Sequence, residues 1–193
     1  MRLFKSSEIA EKMGISQPKV RRWAREFLPS DPLASLRSGY TRKHNVDEAF
    51  RILLGGCLVS FTDFVKAKLI LSEIEPWLLK RHFLPFEGGI KKRSDENDMP
   101  DKWVIKIYEI NKIDFCYEAI GYWHVYNCNE ISDDRFPGCS IYNQKIIREW
   151  FDNKNYNIYN FIGGTNFDLE ISGIAAQFEA CMGLYSEEEK RVI

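Results

Sequence analysis

The sequence predicts an α+β protein in two domains: a helical one over residues 1–86 and an acidic α+β one with antiparallel strands over residues 102–193, joined by a linker over 87–101. Three observations predict it. Apolar residues recur at helical spacing before Pro85 and in a strand-like pattern after Trp103. Between them, Gly88, Gly89 and the run KKRSDENDMPD carry no apolar period and have nothing to bury. Charge divides with the pattern: residues 1–93 hold 18 Lys and Arg against 10 Asp and Glu (+8), and residues 94–193 hold 9 against 18 (−9), within a net −1 for the 193-residue chain. A hydrophobic content of 45% is enough for two modest cores.

The first helix is expected to start at Ser6 as N-cap, turn Ile9 and Met13 inward and end at Gly14, because glycine enters the left-handed conformation without steric cost. Ser16 caps the second helix, with Pro18 tolerated in its first turn. Along it Val20, Trp23, Ala24 and Phe27 form one apolar stripe at i, i+3, i+4 and i+7. Arg21, Arg22 and Arg25 project on the opposite side, within a sector of about 100°. Three guanidiniums on one helical face suit a DNA major groove, where arginine bridges guanine O6 and N7 or pairs with phosphate; a solvated basic face is the plainer reading of the same spacing.

From Phe27 to Asn45 the chain is rich in proline, serine, glycine and basic residues, among them Arg37, Gly39, Tyr40, Arg42 and Lys43, and has no helical period, so it reads as a loop or short hairpin. Asn45 with Glu48 makes a capping box for a third helix that buries Val46, Ala49, Phe50 and Leu53 and stops at Gly55 and Gly56. Ser60 is expected to open a fourth helix, buried through Phe61, Phe64, Val65 and Leu69, with Pro76 interrupting the chain soon after.

The run KSSEIAEKMGISQPKVRRWAREFLP followed by LRSGYTRKHNVDEAFRILLGGCLVSFTDFVKAKLIL resembles the DNA-binding domain of MerR-type transcriptional regulators and their winged-helix relatives, over residues 3 to 75. The matching features are Gly14-Ile15-Ser16 in the turn, Val20-Arg21-Arg22-Trp23 with Arg25 in the recognition helix, and Gly39-Tyr40-Thr41-Arg42 in the wing. The resemblance implies an all-helical winged helix-turn-helix that grips double-stranded DNA. Arg21, Arg22 and Arg25 would enter the major groove, Ser16 and Lys19 would meet phosphates, and Arg37, Tyr40, Arg42 and Lys43 would hold the adjoining backbone or minor groove. Two departures stand out: Arg22 occupies a position where the family usually has an aromatic residue, and Pro76 and Pro85 break up the place of the family's long dimer helix.

In the second domain, Trp103 to Ile110 and Phe115 to Tyr126 read as a hairpin turning at Asn111-Lys112. Ile141 to Asp152 reads as a helix because Tyr142, Ile146 and Trp150 recur every four residues. Tyr156 to Ile162 and Phe167 to Ile171 read as further strands, and the chain from Ile174 as a helix with a charged tail, SEEEKRVI. Aromatic residues are frequent here, from Trp103 to Tyr142. They suit a ligand pocket or a protein-binding surface as well as an ordinary core.

Catalytic and metal chemistry find little footing. His124, Cys128 and Cys139, with Cys116 nearby, form the one cluster of ligand types, and its spacing is poor for zinc. Asp133, Asp134, Asp168 and Glu170 fall in no catalytic motif. Five cysteines without a CxxC pair point to reduced thiols. No run of eighteen apolar residues occurs and the opening MRLFKSSEIAEKMG has no signal-like apolar core, so the expectation is a cytoplasmic protein with no membrane partner, no cofactor and no metal. The sequence thus reads as a non-enzymatic, sequence-specific DNA-binding protein, a MerR-like regulator, whose second domain takes a small molecule or a protein; a homodimer is left open. The alternatives are a phage or mobile-element accessory factor of the excisionase or small terminase subunit type, and a docking module that has lost DNA binding.

Overall fold

Two short strands, β1 (Phe4–Lys5) and β2 (Lys43–His44), pair antiparallel with Phe4 opposite His44, so the domain expected to be all-helical also holds a two-stranded sheet, its second strand in the segment read as a loop or short hairpin. The computed structural model describes residues 2–32, 41–80, 102–109, 115–127, 140–150 and 166–184, a mixed α+β chain with five helices among those residues. It divides into two compact units, residues 1–93 with 173–193, and residues 94–172.

In the first unit α1 (Ser6–Met13) is capped by Lys5 and not by Ser6: the Lys5 backbone amide donates to the Glu8 carboxylate at 2.6 Å. Ser6 is the first helical residue, buried, with its hydroxyl 3.0 Å from His44 Nε2. Gly14 ends the helix at φ 64°, as expected, and Ile15 N donates back to Ala10 O at 2.9 Å. Then α2 (Gln17–Phe27) begins with Pro18 in its first turn and buries Val20, Ala24 and Phe27.

The expected capping box at Asn45 is present in α3 (Val46–Val59). Glu48 N donates to Asn45 Oδ1 at 2.7 Å and Asn45 N to Glu48 Oε2 at 3.1 Å. Gly55 and Gly56 do not stop this helix; both lie inside it, buried. A Cβ at Gly55 would overlap the Phe27 ring and one at Gly56 the Trp23 ring. The two glycines therefore let α2 lie directly on the backbone of α3, which outweighs their poor helix propensity of about 1 kcal/mol each.

The fourth helix departs from expectation at three points. Ser60 caps the end of α3, and α4 (Phe64–Lys80) opens on Asp63, whose carboxylate accepts from Lys66 N at 2.9 Å. Its buried face is Ala67, Ile70, Leu71, Ile74, Trp77 and Leu78, while Phe61, Val65 and Leu69 are exposed. The run FVKAKLIL carries apolar residues on both faces of a helix, and the expected stripe followed the outer one. Finally, α4 continues through Pro76. The proline and Ser72, whose carbonyl it leaves without a helical donor, are both exposed residues, and Trp77 and Leu78 anchor the following turn.

In the second unit four strands form one antiparallel sheet in the order β5-β4-β3-β6: β3 (Lys102–Glu109), β4 (Phe115–Asn127), β5 (Ser140–Trp150) and β6 (Asn166–Glu170). Ile105 stands opposite both Ala119 and Leu169, and Trp103, Ile107 and Tyr117 share that buried face. On the other face Lys106 lies opposite Glu118 and 3.8 Å from Asp168, Lys102 pairs with Glu170 at 2.8 Å, and the Tyr108 hydroxyl donates to the buried Glu118 carboxylate at 2.9 Å. Strand β5 replaces the helix expected over 141–152. A spacing of four is near one helical turn but is also twice the strand period, so Tyr142, Ile146 and Trp150 fit either structure, and pairing with β4 decides.

From the end of β6 the chain enters α5 (Ile171–Met182), whose body from Gly173 belongs to the first unit, whereas the sequence had placed it with the second domain. Phe178 meets Phe50 edge to face at 5.2 Å, both buried, and Arg2 Nη1 donates to Gly183 O at 3.0 Å. The linker over 87–101, the turn at Asn111-Lys112, the strand over 156–162 and the charged tail lie outside the described residues.

Candidate nucleic-acid interface

Because Val20, Trp23, Ala24 and Phe27 hold one side of α2 against its neighbours, its other side is fixed outward, and the side chains of Lys19, Arg21, Arg22 and Arg25 are all exposed there, with Ser16 exposed in the turn before it. Their settings differ. Arg21 and Arg25, one turn apart, line a cleft of about 770 Å³ together with Gln17, Ser7, Ser30 and Thr41. Arg25 Nε is 3.8 Å from Glu26 Oε1, an exposed pair that restrains it little. Arg22 turns the other way and lays its guanidinium over the Phe64 ring, 4.2 Å from the centroid.

The loop residues separate as well. Arg42 is a clasp: Nη1 donates to Pro29 O and Nη2 to Glu48 Oε1, each at 2.6 Å, tying the end of α2 to the start of α3. Arg42 also lines the cleft. Lys43 is exposed on β2. Arg37 and Tyr40 lie outside the described residues.

Gln17, Thr41 and His44 line the same cleft and were not among the contact residues expected from the sequence. Gln17 had a readable signal, since it precedes Arg21 by four and therefore shares its face. His44 had none, because its burial comes from the β1–β2 pairing. The ring is 1% exposed, its Nδ1 finds no hydrogen bond among the described residues and lies 3.9 Å from Glu48 Oε2. Burial lowers its pKa, with Arg42 adding to the shift and Glu48 and Asp31 opposing it.

Elsewhere, Cys57, Cys116 and Cys181 are free thiols, and burial beside Glu118 pushes Cys116 up to about 11, far from a reactive thiolate. Among the described residues no group of three or more His, Cys, Asp or Glu is placed to hold a metal ion, and no helix is long and apolar enough to cross a membrane. The His124 side chain, Cys128 and Cys139 lie outside the described residues. No protein-family model matches the chain, and no curated protein is similar to it.

Proposed function

We propose that the first unit is a winged helix-turn-helix of the MerR type and that the protein is a sequence-specific binder of double-stranded DNA acting as a transcriptional regulator. The observation that carries this reading is the pair Arg21 and Arg25, exposed one turn apart on a helix whose opposite face is locked to α3, with Gln17 beside them. A rigidly held helix presenting two arginines and a glutamine has the donors for guanine and adenine edges. Lys19 and Ser16, at the amino-terminal end of the same helix, sit where phosphate oxygens meet helix N-termini. In this reading Arg22 sets the angle of α2 through Phe64, and Arg42 holds the loop in place; neither reads bases. The second unit takes the role of a sensing or interaction domain.

The test is selection of bound duplexes from a random DNA pool by the full chain at near-physiological salt, repeated with Arg21→Ala/Arg25→Ala. An enriched motif that the double variant no longer selects supports the reading. No enrichment, or the same motif from the double variant, overturns it.

A further inference from the structure

We infer that the cleft lined by α1, α2 and the residues around Pro29 and Thr41 is a binding site for a phosphorylated sugar, and that this ligand and DNA exclude one another. Binding of the sugar phosphate needs no DNA; the exclusion rests on the DNA-reading role proposed for α2.

At about 770 Å³ the cleft falls within the range of about 300–1,000 Å³ that ligand sites occupy. Its lining passes from the buried Ser6, Ala24 and His44 to the exposed Arg21, Arg25 and Ser30, so it has depth as well as a mouth. Both walls are fixed in advance. Ser6 Oγ lies 3.0 Å from His44 Nε2, joining α1 to β2, and the two 2.6 Å bonds of Arg42 hold Pro29 to the start of α3. A site held open by its own hydrogen bonds loses little freedom when it fills.

The polar groups say what fills it. The Arg21 side chain makes no hydrogen bond or ion pair with a described residue, and Arg25, one turn on, has only the long contact to Glu26. Two guanidiniums at this spacing suit a phosphate monoester, which carries close to two charges on oxygens that accept from arginine forks. The Gln17 amide and the hydroxyls of Ser7, Ser30 and Thr41 also have no hydrogen-bond partner among the described residues, and Asp31 adds a carboxylate. Donors and acceptors mixed in this way match sugar hydroxyls, each of which both donates and accepts. No Phe, Tyr or Trp lines the cleft among the described residues, so no such ring face awaits a nucleobase, and a sugar phosphate fits better than a nucleotide.

Calorimetric titration of the full chain without DNA, using glucose 6-phosphate, glucose and inorganic phosphate, tests this. Glucose 6-phosphate is expected to bind about tenfold more tightly than inorganic phosphate, and glucose not at all. Arg21→Ala/Arg25→Ala loses the ester and the phosphate together, with unchanged circular dichroism because both side chains are exposed. Ser30→Ala/Thr41→Val weakens glucose 6-phosphate about fivefold and leaves inorganic phosphate as it was. Saturating glucose 6-phosphate, but not glucose, is expected to weaken a fluorescent duplex about tenfold. No binding of glucose 6-phosphate overturns the proposal. So does an affinity no better than that of inorganic phosphate, which would mark a bare anion site, and so does an affinity that survives in the double arginine variant. Duplex binding indifferent to the bound ester overturns the exclusion. A chain that selects no duplex sinks the DNA-reading role alone, because the titration is read without DNA.

Discussion

The outer faces of α2 and α4 belong to the same helical unit and are both exposed, yet one carries Arg21 and Arg25 and the other Val65, Leu69 and Leu79. Their chemistry differs. A cationic face gains from a polyanion, whereas an apolar face offers phosphate little. Both helices lean on α3 with their inner sides and meet each other only where Arg22 and Phe27 reach Phe64 among the described contacts, so Arg21 and Arg25 can be altered independently of the outer residues of α4.

That independence can be broken or sharpened by experiment. The largest effect is expected from Arg21→Ala/Arg25→Ala. At about 1–3 kcal/mol for each lost contact, duplex affinity falls at least about thirty-fold, while the sedimentation of the free protein stays as in the wild type. Titration of a fluorescent duplex checks the first part. If the double variant also changes the sedimentation of the free protein, the substitutions act through more than the exposed face of α2.

Next come Gly55→Ala and Gly56→Ala. Each gains about 1 kcal/mol of helix propensity but drives a methyl into Phe27 or Trp23, and overfilling of this kind costs about 1–3 kcal/mol. Urea denaturation is expected to show a net loss for both, with DNA affinity falling because α2 is displaced. A stabilised variant would mean that α2 does not bear on the α3 backbone.

Smaller again is Arg22→Ala, which removes the guanidinium from the Phe64 ring. At an exposed site the contact contributes about 0.5–1 kcal/mol, read as a slightly lower unfolding midpoint with motif preference intact. A changed motif would place Arg22 among the base-reading residues.

His44 gives a pH signature. Its pKa in the folded chain is depressed below the ordinary 6.5, so in that window the unfolded chain binds more protons and stability falls as pH drops below 6.5. His44→Gln is expected to flatten the slope between pH 7 and pH 5, roughly the span in which an unperturbed histidine titrates. An unchanged slope would assign the acid sensitivity to other groups.

What the sequence made legible follows from the range over which each signal acts. Gly14, Asn45 with Glu48, and the inward stripe of α2 are written within a few residues of the structure they make, and all three appear as expected. The hairpin strands of the second unit were legible for the same reason. Gly55 and Gly56 misled because their purpose is the approach of another helix, which the local sequence does not record. The outer strip of α4 passed for a core stripe because both of its faces are apolar, and only the neighbours decide which is buried. Strand β5 passed for a helix because a period of four satisfies both geometries. In the candidate interface, Arg21 and Arg25 were legible from the helical period. Arg22 and Arg42 were set apart by long-range partners, Phe64 and Pro29 with Glu48, that no spacing reveals.

The claim that Arg21 and Arg25 lie on a DNA backbone or groove is tested most directly by titrating one enriched duplex with the wild type and with Arg21→Ala/Arg25→Ala across a range of salt. Each lost phosphate contact lowers the slope of log affinity against log salt by about 0.9. The account predicts a weaker double variant that has lost the motif's preference over a scrambled duplex, with a shallower slope wherever either arginine also meets phosphate. Equal affinity, preference and slope in the two proteins would contradict it.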